Sequence, residues 1–387
     1  MRVAVVLPER SPQTGGGFTF QDTLRRALSE AAPGALHEFI FFQPDARDGA
    51  VLLPTGAVSK AARRAVRAVR DFQDHVLGLR LVGLSTAFER LLRQHSIDLV
   101  WFTTQYAEDC DVPFIATVFD LEYLDQPWFP EVSVNGEWDI RTAHHRRYLP
   151  RATRVIVPND SGREQVMRHF GLRASQILTL PHPTPQLPAP RDTTEVLARY
   201  SVEPPFLLYP AQYWAHKNHI TLLETLRLLN ADGGSRYRLV CVGSDKGQRR
   251  HVQSLAASLG VENDVRLLGF IPAEELAALY RGAHALVYLS YFGPENLPPL
   301  EAFALGCPVV NADIPGAREQ LEEAALLVPP ADPEACARAV RRLEDAHERQ
   351  QLVERGAQLA AARSPAAFVR GVLDFLDEFD AVRRGWA

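Results

Sequence analysis

In the second half of the chain, short apolar runs alternate with stretches whose apolar residues recur every three or four positions. The runs fall at 206–210, 238–242, 265–268, 285–289, 308–312 and 325–328. Between them, 220–229, 248–259 and 273–280 have the spacing of helices that bury one face. Apolar runs of four or five residues are strands covered on both sides. Their regular alternation with helices predicts a parallel, doubly wound sheet. The first half repeats the pattern less regularly. Strands are expected at 1–8, 97–102, 113–119, 154–158 and 177–180, with helices at about 20–31 and 163–170. Pro181, Pro183, Pro185, Pro188 and Pro190 then crowd into ten residues and predict a semi-rigid linker.

The stretch from Tyr291 to Asp313 carries the most chemistry. It reads as a loop, a helix and a buried strand following the run that stops at Ser290. Asn296 is expected to cap the helix, with Pro298 and Pro299 in its first turn, where a missing N–H costs little. Leu297, Leu300, Ala304 and Leu305 give the helical period; Gly306 ends it and Pro308-Val309-Val310 opens the strand. Ligands of open parallel sheets bind beyond the carboxyl ends of the strands. Glu301, on the first turns of this helix, therefore stands where a carboxylate can accept from a ribose diol. A cap with a solvated Glu is the alternative.

With 387 residues the chain is too long for one ordinary core, and two domains are expected. Its 46% hydrophobic and 23% charged residues are those of a soluble globular protein, and a net charge of −5 gives no general attraction to nucleic acid. Cys110, Cys241, Cys307 and Cys336 are far apart, which argues against a disulfide framework or a zinc site. With neither a signal peptide nor an 18-residue apolar run, a cytoplasmic location is expected.

Three other features bear on ligands. Gly15-Gly16-Gly17, between the first strand and its helix, leave backbone N–H groups open to an anion, although the G-x-G-x-x-G fingerprint is absent. The segment 60–93 is basic and helical, with Lys60, Arg63, Arg64, Arg67, Arg70, Arg80, Arg90 and Arg93 against Asp71, Asp74 and Glu89. Val66, Val69, Phe72 and Val76 form its apolar stripe. A solvated basic face is expected, with contact to an anionic membrane surface as the alternative. Polar residues 128–148 are expected to line a cleft, and the adjacent His144 and His145 point to different helix faces, against a shared metal.

The segment around Glu301 resembles the family-4 glycosyltransferases, whose E-x-F-G-x-x-x-x-E and A-x-A-x-G-x-P-V signatures match at Pro298-Pro299-Leu300-Glu301-Ala302, Gly306 and Pro308-Val309-Val310. The resemblance is strong over 200–345 and extends more weakly through the first half. It implies the GT-B architecture, two Rossmann-like domains facing a central cleft. The expected division is an acceptor domain at 1–185, a linker at 186–200, a donor domain at 201–365 and a terminal helix, 366–387, packing back on the first domain.

The same resemblance implies a retaining, metal-independent hexosyltransferase that takes its sugar from a GDP- or UDP-sugar. Its acceptor would be a glycan or lipid-linked molecule, as in bacterial surface polysaccharide synthesis. Glu301 matches the ribose-binding Glu, and Gly293 falls where the family has its sugar-contacting Glu, so Glu295 or Asn296 is expected to replace it, beside Leu297. Lys217 matches the phosphate-binding Lys. Gln212 stands where the family has Arg and is expected to hydrogen-bond a donor phosphate oxygen without adding charge, which makes Arg318, at a helix start, the expected second cation. Gly16 and Gly17 would face the phosphates and Phe270 the base. Phe119 replaces a family His next to Asp120, which is expected to meet substrate hydroxyls or to cap a turn. Lys217, Glu295 and Asp120 are the expected catalytic residues. An epimerase of the same architecture, or a degenerate nucleotide-binding protein without activity, are the competing readings.

Overall fold

A computed structural model describes residues 1–9, 11–31, 36–45, 49–54, 57–73, 85–231 and 234–385. Among them, two parallel sheets account for every named strand. The first contains β1 (Arg2–Val6), β2 (Glu38–Gln43), β3 (Val51–Leu52), β4 (Leu99–Phe102), β5 (Phe114–Thr117), β6 (Arg154–Val157) and β7 (Ile177–Thr179) in the order β3-β2-β1-β4-β5-β6-β7. The second contains β8 (Phe206–Pro210), β9 (Arg238–Val242), β10 (Val265–Leu268), β11 (Ala285–Tyr288), β12 (Val309–Ala312) and β13 (Ala325–Val328) in the order β10-β9-β8-β11-β12-β13. Order reverses between β1 and β4 in one sheet and between β8 and β11 in the other. Loops leaving these strands diverge there and open a crevice.

The alternation of side chains along a strand decides which layer each residue enters. Val3 and Val5 of β1 face one layer, Ala4 and Val6 the other, and all four are fully buried. The first layer holds the Gly16–Ala31 helix and the Pro365–Arg383 helix, whose Phe368, Val369, Val372, Phe375, Leu376 and Phe379 recur at helical spacing and pack beside Leu24 and Trp101. The last helix of the chain thus completes the core of the first sheet. In its C-terminal half, Arg383 reaches Asp98 and Asp377 bonds His37.

Three expectations change. The Gly-rich loop is shorter than foreseen: a 3-10 turn at Pro12–Thr14 and Gly15 at φ 90° lead into a helix whose first residues are Gly16 and Gly17. The linker ends early, because Thr193–Arg199 is a helix capped by Asp192 whose Val196 enters the core of the second sheet.

The basic helix is turned round. Ala57–Phe72 directs Arg63 at Glu108, Arg67 at Asp109 (3.2 Å) and Arg70 at Glu89 (2.8 Å), while Val69 and Phe72 are 42% and 55% exposed. Glu89, Glu108 and Asp109 are buried, and a buried carboxylate without a cation costs several kcal/mol. This demand outweighs the apolar stripe. It also turns Arg63, Arg67 and Arg70 away from the solvated face expected of them, which the alternative of membrane contact needed as well. The Lys60 side chain, Asp74, Val76 and Arg80 lie outside the described residues. Among those described, no helix is long and apolar enough to cross a membrane.

Truncating Leu376, which is fully buried in the shared layer, is expected to cost ~2–5 kcal/mol in urea unfolding, the range for a cavity at a well-packed site. Val382→Ala on the exposed side of the same helix should stay within about 0.5 kcal/mol.

Candidate active site

A cavity of about 590 Å³ lies between the two sheets, at both points where strand order reverses. That is the size of a small-molecule site. One of its walls is built by the loops after β8 and β11. The first ends in a 3-10 turn, Ala215–Lys217, and Asn218 follows in the left-handed region at φ 54°. Asn218 holds this strained position by donating to the Leu289 and Pro330 carbonyls. Lys217 is thereby fixed against the β11 side, its Nζ donating to Tyr288 Oη at 3.1 Å and Ser290 Oγ at 3.2 Å. Among the described residues it has no carboxylate in ion-pair contact. Its charge is available to the cavity that it lines.

Glu301 lies in the Leu297–Ala304 helix, lines the same cavity and accepts from Tyr280 Oη at 2.7 Å. Burial pushes its carboxyl above the usual range, and the Tyr280 bond opposes that. Asp120 also lines the cavity. Its Oδ1 accepts from the Glu122 N–H at 3.2 Å, so it holds the following turn as well as facing the cleft. Burial raises it, and the Glu122 N–H, Lys217 and Arg141 pull it back. Gly16, Gly17, Leu297 and Phe270 line the cavity too, with Phe270 half exposed at its edge.

Four assignments are corrected. Arg318 is not at the site: its side chain is 74% exposed, pairs with Asp313 and does not line the cavity. Helix-start position alone did not reveal that the Ala317–Leu321 helix turns it outward. Gln212 reaches the cavity but is engaged, its amide donating to the Gln13 carbonyl at 3.1 Å and its oxygen accepting from Trp214 at 3.0 Å. It joins the two halves of the cleft. Asn296 makes no cap bond; its amide donates to the Gly293 carbonyl at 2.9 Å.

Glu295, expected to meet the sugar, is held by Arg363 at 2.7 Å and by the His182 N–H at 2.7 Å. Both oxygens are occupied within the protein. Burial raises its carboxyl to about 7 against the pull of Arg363. Gly293 has φ 99°, and a Cβ there would lie 2.7 Å from Asn296 Oδ1. No Glu fits at this position while Asn296 stays where it is.

Sequence reasoning missed the residues that join the halves. Glu131 accepts from the His216 N–H at 2.9 Å and pairs with the His216 ring, which stacks on Phe292. Asn159 donates to the Pro294 carbonyl at 3.0 Å, and Glu319 accepts from the Asp160 N–H at 2.8 Å. His182, inside the proline run, lines the cavity beside Phe20 and Phe119. Each pairing spans many residues, so no local spacing announces it. Among the described residues, no three His, Cys, Asp or Glu side chains converge as a metal site requires.

Solved structures share this arrangement. A sucrose-phosphate synthase from Thermosynechococcus elongatus superposes with a TM-score of 0.70 over 98% of this chain and 99% of its own, at 20% identity. Anabaena HepE in complex with UDP-glucose does so at 0.70 over 98% and 100%, at 15% identity. The architecture is GT-B: two Rossmann-like domains with the cavity between them.

A family model described as Glycosyltransferase Family 4 matches residues 14–185, and one described as Glycosyl transferases group 1 matches 198–359. Together they cover every strand but β1, and the chain belongs to the family-4, group 1 glycosyltransferases. Among curated relatives, O-antigen chain mannosyltransferase B of Escherichia coli is 29% identical over 54% of this chain and 56% of its own length. A D-inositol 3-phosphate glycosyltransferase of Saccharomonospora viridis is 29% identical over 64% and 60%. The matched region thus spans little more than half of these relatives.

The buried ionisable groups give opposite pH trends. Burial lowers His219 to about 3, so it stays neutral when folded but protonates when unfolded below its ordinary 6.5. Its contribution to stability is present above pH 6.5 and is lost as the pH falls below that value. His219→Gln should therefore gain stability relative to the parent as the pH drops from about 7.5 to about 5. Glu295, raised to about 7, contributes most below its ordinary 4.5 and loses that contribution as the pH rises through 7. Glu295→Gln should then gain relative stability as the pH rises. Urea unfolding at the two pH values reads both slopes.

Proposed function

We propose that this protein transfers a hexose-type sugar, with retention, from a nucleotide-diphosphate sugar to a glycan or lipid-linked acceptor. The observation that carries this reading is Lys217, a cation without an ion-pair partner among the described residues. It stands at the carboxyl end of β8 in the cavity that Glu301 also lines. A departing nucleoside diphosphate gains negative charge as the bond to the sugar breaks. An ammonium fixed beforehand by Tyr288 and Ser290 stabilises that state more than the ground state, which is the condition for a faster reaction. The N–H groups of the Gly16–Ala31 helix start add partial positive charge from the opposite wall.

Glu301 suits the ribose hydroxyls, since Tyr280 fixes one of its oxygens and leaves the other as an acceptor. The rim around Val242, Gly243 and Phe270 suits the base. The mannosyltransferase and glycosyltransferase names of the relatives support hexose transfer. The UDP-glucose bound to HepE supports a nucleotide-sugar donor, and the O-antigen relatives support a role in surface polysaccharide synthesis. In this reading the cation needed at the phosphates is Lys217 itself, and no divalent metal takes part.

Lys217→Ala is expected to lower turnover at saturating donor by ~100-fold, the order for one preorganised charge-stabilising group. Lys217→Arg should restore only part, because a guanidinium does not replace a compact ammonium. Arg318→Ala should leave turnover unchanged. A folded Lys217→Ala enzyme with near-normal turnover would overturn the role. In a separate assay, activity should survive EDTA; loss repaired by added magnesium or manganese would show that a metal takes part.

A further inference from the structure

Among the described residues that line the cavity, His182 alone has a buried side-chain polar atom without a hydrogen bond. His182 lines the cavity and is only 6% exposed. Its Nδ1 is buried with no hydrogen bond, 3.7 Å from Glu295 Oε2. Among the described residues its Nε2 has no protein partner either. Nδ1 is sealed against Glu295 and out of a ligand's reach, so the open nitrogen is Nε2; a polar atom left open on a cavity wall is satisfied when a ligand arrives.

The ring is firmly placed. Its backbone N–H donates to Glu295, which Arg363 clamps at 2.7 Å, and the next threonine is tied to the Arg363 and Ala360 carbonyls through Thr184 N and Oγ1. The edges of Phe20 and Phe119 meet the imidazole at centroid separations of 5.3 and 5.5 Å. The result is an apolar corner with one acceptor or donor nitrogen in it. The imidazole is neutral at ordinary pH, because burial and Arg363 lower it to about 3.

We propose that His182 binds a hydroxyl of the transferred sugar, and that this corner selects an uncharged glycosyl group. This inference rests on the donor reading above. Phe20 and Phe119 cover C–H surface beside the bound hydroxyl. A sugar carboxylate entering the corner would lie against the Phe20 and Phe119 rings and an uncharged imidazole. The nearby cations offer it nothing: Arg363 is paired with Glu295, Arg26 with Asp22 at 2.7 Å, and Lys217 faces the leaving phosphates. An unpaired charge in such a place is strongly disfavoured.

Calorimetric titration of the full chain tests this with three probes on each base: UDP, UDP-glucose and UDP-glucuronate, and GDP with GDP-mannose and GDP-mannuronate. The wild type should bind the preferred hexose donor at least about tenfold tighter than its uronate counterpart. His182→Phe keeps a ring among Phe20 and Phe119 and removes both nitrogens. It should weaken the hexose donor about tenfold, as for loss of one buried hydrogen bond, while the nucleoside diphosphate alone stays within about twofold. His182→Gln, which returns an acceptor, should recover part of the loss. Equal affinity of His182→Phe for the hexose donor, or wild-type preference for the uronate, overturns the inference while leaving the transferase reading standing. A wild type that binds none of the six probes overturns both. The uronate comparison needs no variant and so holds even where a substitution impairs folding.

Discussion

The chain crosses between its two sheets twice, and the second crossing ends in a helix that the first sheet must cover. Six apolar side chains of the Pro365–Arg383 helix enter the layer made by Val3, Val5, Leu24 and Trp101. At roughly 1.5–3 kcal/mol for each large side chain removed from water, this contact is large compared with any single bond across the cleft. Its geometry propagates. Arg363 sits just before the helix and is held where Glu295 and the Thr184 N–H meet it. The non-helical chain around His182 is thereby pinned between the halves, and both strand-order reversals open into one cavity.

Within that cavity, charge is distributed unevenly. Arg26 pairs with Asp22; Lys217 has hydroxyls instead. Hydroxyl partners orient an ammonium without neutralising it, which leaves its field for an incoming anion. Burial shifts the carboxyls of Asp120, Glu295 and Glu301 upward, and each also has a hydrogen-bond donor within the protein. The polar ties across the cleft, from Gln212, Glu131, Asn159 and Glu319, hold walls that carry these groups in register.

Much of this was legible because it is local. The strands of the second sheet, the Leu297–Ala304 helix, Glu301 on it and Lys217 at the end of a βα connection all follow from period and punctuation. What was not legible depends on partners distant in the chain. Arg63, Arg67 and Arg70 read as a solvated face because Glu89, Glu108 and Asp109 come later, and only the fold shows those carboxylates to be buried. Glu295 read as a sugar ligand because Arg363 is 68 residues away. Arg318 read as a phosphate ligand because a helix start says nothing about which side of it faces the cleft. Strands β2 and β3 went unseen; the second is two residues long and carries no period.

The interlock between Gly293 and Asn296 has a consequence for substitution. A side chain at position 293 does not fit while Asn296 fills the space beside it, and Asn296 in turn bonds the Gly293 carbonyl. A single substitution toward the acidic residue of the family motif therefore meets a steric collision before it meets any substrate. The obstacle is the Asn296 side chain together with the positive φ, so it is lifted only where Asn296 moves or is replaced and the new residue tolerates that backbone.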